Sequence, residues 1–133
     1  MRTLNRIIIH CAATPPDMDI GVAEIRKWHT DKGWSDVGYH WVITRSGQIE
    51  AGRPVEIPGA HAKGHNQDSI GICMVGGVDA DNKPDSNFTR KQWAALDDLV
   101  SQLRDKYGYL EIFGHRDYST KACPSFDARA WAA

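Results

Sequence analysis

The segment RIIIHC, residues Arg6–Cys11, indicates how this chain folds. A run of β-branched residues too short for a helix is typical of a strand that is buried on both faces. Such strands occur in sheets whose two faces are both covered by other elements. The segment therefore predicts a sheet with helices packed on it, with His10 near the C-terminal end of a rigid apolar strand.

Further strands and helices follow along the chain. Apolar runs predict a hairpin over residues 38–53 with a turn at Ser46-Gly47, and strands within 69–77 and 109–116. Helical spacing predicts helices within 22–33 and 89–108, and a short one within 125–131. Thr89 and Gln92 form a capping box at the start of the long helix. Strands mixed with helices in this way predict an α/β fold with a mixed sheet.

The size and charge of the chain limit its class. A chain of 133 residues fits one domain and is long enough to bury a core, so we expect a single domain over residues 1–133. Its formal net charge is −1 at pH 7. Proteins that bind nucleic acid by neutralising phosphates are strongly basic, as are surfaces that dock on anionic lipid. We therefore expect neither kind of partner.

The N-terminus does not have the pattern of an export signal. Two arginines precede an apolar patch, but the run Ile7–Ile9 is followed at once by His10, whereas a signal needs roughly seven or more apolar residues. No segment approaches the roughly eighteen apolar residues of a membrane span, so no membrane anchor is expected. The three cysteines cannot all pair within the chain, which favours reduced thiols in a cytosol.

Three residues that can bind metal lie at or after the ends of predicted strands. His10 ends the first strand, His115 ends or follows the last one, and Cys123 precedes Pro124, which restricts its backbone to extended conformations. Two imidazoles and one thiolate, with a fourth position for water, match an open catalytic zinc site. Satisfied core histidines are also common, so the spacing alone leaves both interpretations open.

Other histidines and cysteines have structural explanations. His29 lies on a predicted helix beside a tryptophan, and His40 alternates with aromatic residues on a sheet face. Cys73 lies in an apolar strand and is expected to be a small buried hydrophobe. Cys11 follows His10 in a strand, so their side chains point to opposite faces. If one of these two faces a site, the other belongs to the core.

Four blocks of the sequence resemble one protein family. The blocks are IIIHCAAT (7–14), IGVAEIRKWHTDKGWSDVGYHWVITRSGQIEAGR (20–53), HAKGHNQDSIGICMVGG (61–77) and KACPSFD (121–127). Their content and order are similar to the phage amidase-type lysozymes. These are zinc-dependent N-acetylmuramoyl-L-alanine amidases related to the peptidoglycan recognition proteins. The resemblance runs from about Ile7 to about Trp131 and implies a mixed sheet of about five strands flanked by helices.

The resemblance also implies roles for particular residues. The implied ligands of one zinc ion per chain are His10, His115 and Cys123. The implied catalytic residues are Tyr39, from the segment VGYH, and Lys121, two positions before the cysteine ligand. Without the resemblance, the sequence favours a solvated loop lysine for Lys121 and a core aromatic residue for Tyr39; the resemblance favours catalysis.

The loop GAHAKGHN (59–66) contains weaker candidates for lining the substrate groove. These candidates are His61, Lys63 and His65. A polar loop flanked by glycines is a common place for binding residues, although it can equally serve only as a connection.

The family implies an endolysin. It would hydrolyse the amide between N-acetylmuramic acid and L-alanine in bacterial peptidoglycan, using zinc-activated water, and so lyse the host cell. A lysin without an export signal would collect in the host cytoplasm and reach the cell wall or periplasm once the membrane is breached. We expect a monomer whose partner is peptidoglycan, and a regulatory protein such as a phage polymerase is a further expected partner.

Three alternatives belong to other classes. A recognition module would keep the fold without activity, although loss of Cys123 or Tyr39 would then be expected, and both are present. A closed structural zinc site would need a fourth protein ligand, such as His40 or His61. A glycosidase would need two opposed carboxylates, and no such pair is evident in the sequence.

Overall fold

In the computed structural model, residues 2–133 are described, and they form a five-stranded sheet with helices on both faces. The strands are β1 Arg6–Cys11, β2 Trp41–Ile43, β3 Ile49–Ala51, β4 Ser69–Met74 and β5 Glu111–Gly114. The helices are α1 Val22–Asp31, α2 Arg90–Tyr107 and α3 Ala128–Ala132, with a single 3-10 turn over His115–Asp117. Each strand and helix predicted from the sequence is confirmed.

The strand order is β3-β2-β4-β1-β5, and the sheet is mixed, as predicted. β1 runs parallel to both β4 and β5, and β2 runs parallel to β4 but antiparallel to β3. Ile9 lies opposite Gly114, so the residues that follow them, His10 and His115, come close together near the carboxyl ends of β1 and β5. Clefts at the carboxyl ends of parallel strands are the usual position for ligands in such sheets.

The two faces of the sheet bury separate apolar clusters. One cluster joins alternate residues of β1 and β4 to the inner face of α2 and to Ala128 of α3. The other cluster lies beneath α1 and contains Ile25, Val42 and Cys73, with Tyr39 packed against it. Because side chains alternate along a strand, β1 contributes to both faces. Cys11 belongs to the α2 cluster, whereas His10 points to the α1 side, where it packs on Tyr39.

A buried polar side chain fastens α2 to the sheet. Thr89 and Gln92 form the predicted capping box, with N–O distances of 3.1 and 2.9 Å. Gln92 is fully buried, and its Nε2 also donates to the carbonyls of Ile43 and Val75. These carbonyls lie at the end of β2 and just after β4. The side chain that starts the helix therefore also sets its position over the sheet edge.

Candidate metal centre

His10 reaches the site from the end of a rigid strand. Only 1% of the residue is exposed, and its ring contacts the rings of Tyr39, His61 and His115 at centroid distances of 5.1, 4.9 and 4.6 Å. The apolar run before it holds the β1 backbone between β4 and β5. The imidazole is therefore placed by the sheet and not by a mobile loop.

His115 and Cys123 arrive from the C-terminal part of the chain. His115 begins the 3-10 turn directly after β5. Pro124 lies against Gly114, where a Cβ would come within 2.9 Å of the proline ring. This close approach brings the preceding residue, Cys123, back to β1, where its Sγ accepts a hydrogen bond from the backbone N–H of Cys11.

The three candidate ligands converge on one point. One ligand atom from each of His10, His115 and Cys123 lies within 4.8 Å of the other two. Two imidazole nitrogens and one thiolate are a donor set that suits zinc, which accepts both nitrogen and sulfur ligands. No fourth side chain of residues 2–133 joins this group. The residues present therefore fit an open, three-ligand zinc site.

The imidazoles around this point are held in their neutral form. Burial lowers the pKa of His10 well below its usual range, with further contributions from His61 and His115. Burial, and then the charge of Lys121, lowers the pKa of His115. Neutral imidazole is the form that binds a metal ion. A hydrogen bond with the side chain of Cys11, together with burial, raises the pKa of the Cys123 thiol.

A cleft of about 390 Å³ opens above the three ligands. Its walls include Tyr39, Lys121, Trp28, Lys32 and Trp34, and none of the described residues that line it is an aspartate or glutamate. A glycosidase needs two carboxylates across the scissile bond. The composition of the cleft therefore argues against the glycosidase alternative.

The two predicted catalytic residues both line this cleft, one part-buried and one exposed. Burial raises the pKa of Tyr39 well above its usual value, so its hydroxyl stays protonated and can donate a hydrogen bond at neutral pH. Lys121 is exposed at the mouth and close enough to affect the pKa of His115. The structure thus combines a phenol donor and a cation with the three ligands.

The three candidates from the loop 59–66 lie in different surroundings. His61 is buried, and its Nδ1 lies 2.8 Å from Nε2 of His10. Lys63 is exposed and lines a second opening that also includes His61 and Lys121. His65 stacks on Tyr118 at 4.0 Å between ring centroids and is not among the described residues that line either cavity. Substrate contact by these residues stays a prediction.

The structural explanations for the other polar residues are confirmed. Nδ1 of His29 accepts a hydrogen bond from the backbone N–H of Gly38. Nδ1 of His40 accepts from the N–H of Gly71, and Nε2 of His40 lies 2.8 Å from the carbonyl of Ile57. Cys73 is fully buried in the α1 cluster. His40 is therefore a satisfied core histidine and supplies no fourth ligand.

Two tryptophans and a lysine in the cleft wall were missed by the sequence reasoning. Trp28 and Trp34 are 40% and 38% exposed, which is unusual for such large apolar side chains. Trp28 and Lys32 are four positions apart, so the end of α1 presents them on one side. The spacing of Trp28 and Lys32 was visible in the sequence. The direction in which this side of α1 faces was decided only by the packing of the helix.

Comparisons with known proteins show the family of this chain. Residues 1–126 match the sequence profile of the N-acetylmuramoyl-L-alanine amidase family. The chain belongs to this family. The endolysin of Enterobacteria phage K11 is a similar protein, with 48% identity over 127 residues that cover 96% of this chain and 84% of that protein.

Solved structures of amidases and of recognition proteins share the fold. The N-acetylmuramoyl-L-alanine amidase LysC from Clostridium intestinale URNW matches with a TM-score of 0.84 and 27% identity, covering 98% of this chain and 83% of its own. Wild-type Drosophila PGRP-LB, a peptidoglycan recognition protein, matches with a TM-score of 0.79 and 25% identity, covering 99% and 79%. Within residues 2–133 of this amidase, no helix has the length and apolar character needed to cross a membrane.

Proposed function

We propose that this chain is an endolysin that cleaves the amide between the lactyl group of N-acetylmuramic acid and L-alanine in bacterial peptidoglycan. We further propose that residues 1–133 form one zinc-dependent catalytic domain. The observation that carries the proposal is the convergence of His10, His115 and Cys123 in a cleft lined by Tyr39 and Lys121. Membership of the amidase family supports the reaction class.

The ligand set suits the chemistry that amide hydrolysis needs. Zinc held by His10, His115 and Cys123 would supply an activated water, with a pKa of roughly 7, and a Lewis acid for the scissile carbonyl. The neutral imidazoles of His10 and His115 are ready to bind the ion without first losing a proton. The N–H of Cys11 stabilises negative charge on the Cys123 sulfur.

The two predicted catalytic residues, Lys121 and Tyr39, act on the substrate. As the amide carbon becomes tetrahedral, negative charge grows on its oxygen, and the ammonium group of Lys121 stabilises that charge. A phenol is already protonated at neutral pH, and burial raises the pKa of Tyr39 further, so its hydroxyl orients the attacking water or the carbonyl by donating a hydrogen bond. Lys63 and the exposed tryptophans Trp28 and Trp34 provide surface for the glycan and the stem peptide.

The open ligand set favours catalysis over a closed structural zinc site and over a recognition module. A closed structural site needs a fourth ligand, but the Nδ1 of His61 is engaged with His10, and both ring nitrogens of His40 lie within hydrogen-bond distance of backbone groups. A recognition module has no need for Tyr39 and Lys121 beside the ligands. The similarity to phage endolysins supports action on the host wall after the membrane is breached. The monomeric state and a regulatory partner such as a phage polymerase stay predictions.

Digestion of purified peptidoglycan tests the proposal. Mass spectrometry of the soluble products should show stem peptides with free L-alanine N-termini, while an assay for reducing sugars shows no new ends. Chelator-treated protein should lose this activity and regain it when zinc is added. New reducing ends without new amino groups would show that the enzyme cuts the glycan and would exclude the amidase reaction.

A further inference from the structure

Behind His10 lies a chain of hydrogen bonds that runs through two buried side chains. Nε2 of His10 lies 2.8 Å from Nδ1 of His61, and Nε2 of His61 lies 3.2 Å from Oγ of Ser69. Oγ of Ser69 in turn lies 2.7 Å from the backbone carbonyl of His65. Since His61 and Ser69 are both buried, each hydrogen position in this chain is constrained by its neighbours.

The backbone carbonyl of His65, at the far end of the chain, determines which atom donates in each of these hydrogen bonds. A carbonyl can only accept, so the single hydroxyl hydrogen of Ser69 points to His65. Oγ of Ser69 must then accept from Nε2–H of His61, which leaves Nδ1 of His61 without a hydrogen. That nitrogen can only accept, so His10 carries its hydrogen on Nε2. The remaining nitrogen of His10, Nδ1, keeps a free lone pair.

The reverse arrangement of donors and acceptors is unfavourable at both ends of this chain of hydrogen bonds. If Ser69 donated to His61, the carbonyl of His65 would lose its hydroxyl donor. His61 would then donate from Nδ1 to Nε2 of His10. His10 would then carry its hydrogen on Nδ1, and the lone pair on its Nε2 would accept the hydrogen bond from His61. Neither nitrogen of His10 could then bind a metal ion.

The ring of His61 is also held in place by its surroundings. A Cβ on Gly71 would come within 2.6 Å of Cγ and Cδ2 of His61, and one on Gly59 within 2.7 Å of Cδ2. Oδ1 of Asn66 accepts from the backbone N–H groups of His61 and Ala62, at 3.0 and 2.9 Å. The ring therefore packs on Gly71, a residue of β4 that has no side chain, and the hydrogen bonds to Asn66 fix the loop that carries it.

We propose that His61 is a positioning residue that holds His10 in the Nε2–H tautomer and so directs Nδ1 of His10 to the metal. His61 acts through His10, so it would not contact substrate as the loop sequence suggested. The inference rests on the proposed role of His10 as a zinc ligand. Partners behind ligating histidines typically change metal affinity by about 10–100-fold.

The first test measures zinc affinity by chelator competition, without any substrate. His61→Leu removes the acceptor and should weaken zinc binding by about 10–100-fold. His61→Asn places an amide oxygen close to the position of Nδ1 and should recover most of that loss. His40→Leu is the matched control, because His40 is a buried histidine 5.9 Å from His61 by ring centroids. Its ring bonds to the backbone of Ile57 and Gly71 and not to a proposed ligand. Wild-type affinity in folded His61→Leu would overturn the proposal.

The second test needs no variant and covers the case in which His61→Leu does not fold. Long-range proton–nitrogen NMR spectra of the metal-free wild-type protein should show His10 and His61 both as Nε2–H tautomers. A hydrogen on Nδ1 of His10 would overturn the proposal. The proposed function fails separately, because a wild-type protein that binds zinc but releases no peptide from peptidoglycan would contradict the amidase reaction and leave the role of His61 intact.

Discussion

The backbone N–H of Cys11 donates a hydrogen bond to the Sγ of Cys123 at 3.1 Å, across 112 positions of sequence. This bond joins the strand that carries His10 to the loop that carries the sulfur ligand. Cys11 packs into the α2 core, while its backbone N–H holds the sulfur of Cys123. The metal centre therefore depends on the packing of the C-terminal loop against β1.

Replacing Cys123 should remove the metal and the activity together. Serine keeps the size of the side chain but supplies no thiolate, so Cys123→Ser should retain little zinc after dialysis. Metal analysis and peptide release from peptidoglycan measure the two losses. Cys73→Ala is the control, since Cys73 is a buried thiol outside the ligand group and its variant should keep its zinc. A zinc-free Cys123→Ser protein with full activity would reject the assignment.

Removal of the cation at the mouth of the cleft should slow the reaction without loss of the metal. Lys121→Ala removes the charge that stabilises the oxyanion, and donors of this kind contribute about 10²–10³-fold to kcat. Zinc content should be unchanged, because Lys121 is not one of the three ligands. Lys83→Ala, in an exposed loop, should behave as wild type. An unchanged kcat for Lys121→Ala would show that Lys121 is only a solvated surface lysine.

Loss of the Tyr39 hydroxyl should affect the chemical step alone. In Tyr39→Phe the ring that packs on His10 remains, so fold and zinc content should be preserved. We expect kcat to fall by about 10²-fold, since positioned proton donors contribute roughly this much or more. Steady-state kinetics on a soluble muramyl peptide measure the effect. Wild-type kcat in the phenylalanine variant would return Tyr39 to a purely structural role.

The buried Gln92 should be important for stability. Gln92→Leu removes the donor to the carbonyls of Ile43 and Val75, and it leaves the backbone N–H of Thr89 and a guanidinium N–H of Arg45 without their Oε1 acceptor. The free energy of unfolding should fall by about 2 kcal/mol, the usual cost of unsatisfied buried groups. Urea denaturation measures this change in the free energy of unfolding. Gln102→Leu, at an exposed position of α2, should change stability by less than about 0.5 kcal/mol, and an equal effect in both variants would contradict the role of Gln92.

Stability should fall in mild acid because of His40. Burial lowers its pKa to about 4 in the folded protein, against roughly 6.5 when unfolded. Between these values the unfolded chain binds a proton that the folded chain does not. Above about pH 6.5, protonation of His40 therefore does not affect the free energy of unfolding. As the pH falls towards about 4, proton binding by the unfolded chain lowers this free energy by about 3 kcal/mol.

The variant His40→Asn isolates this effect, because the amide can still accept the N–H of Gly71. Its free energy of unfolding should decline less between about pH 6.5 and 4 than that of the wild type. Chemical denaturation at a series of pH values provides the comparison. Identical slopes for the two proteins would assign the acid sensitivity to other groups.

Local sequence patterns determined the secondary structure of this protein. The β-branched run Arg6–Cys11, the capping box at Thr89 and the apolar stripe of α2 depend on neighbours a few positions away, so they were visible without coordinates. Alternation along β1 also predicted that His10 and Cys11 would face opposite sides, as they do. Family resemblance, and not spacing, was needed to select His10, His115 and Cys123 from the remaining histidines and cysteines.

Only the tertiary structure decided what surrounds these residues. The parallel pairing of β1 with β5 brings His115 beside His10, and the packing of Pro124 on Gly114 returns Cys123 to the same edge. The loop sequence likewise singled out His61, and only the fold shows that its ring lies against that of His10. Contacts between residues far apart in sequence arise from the packing of whole elements, which a local pattern of residues does not contain.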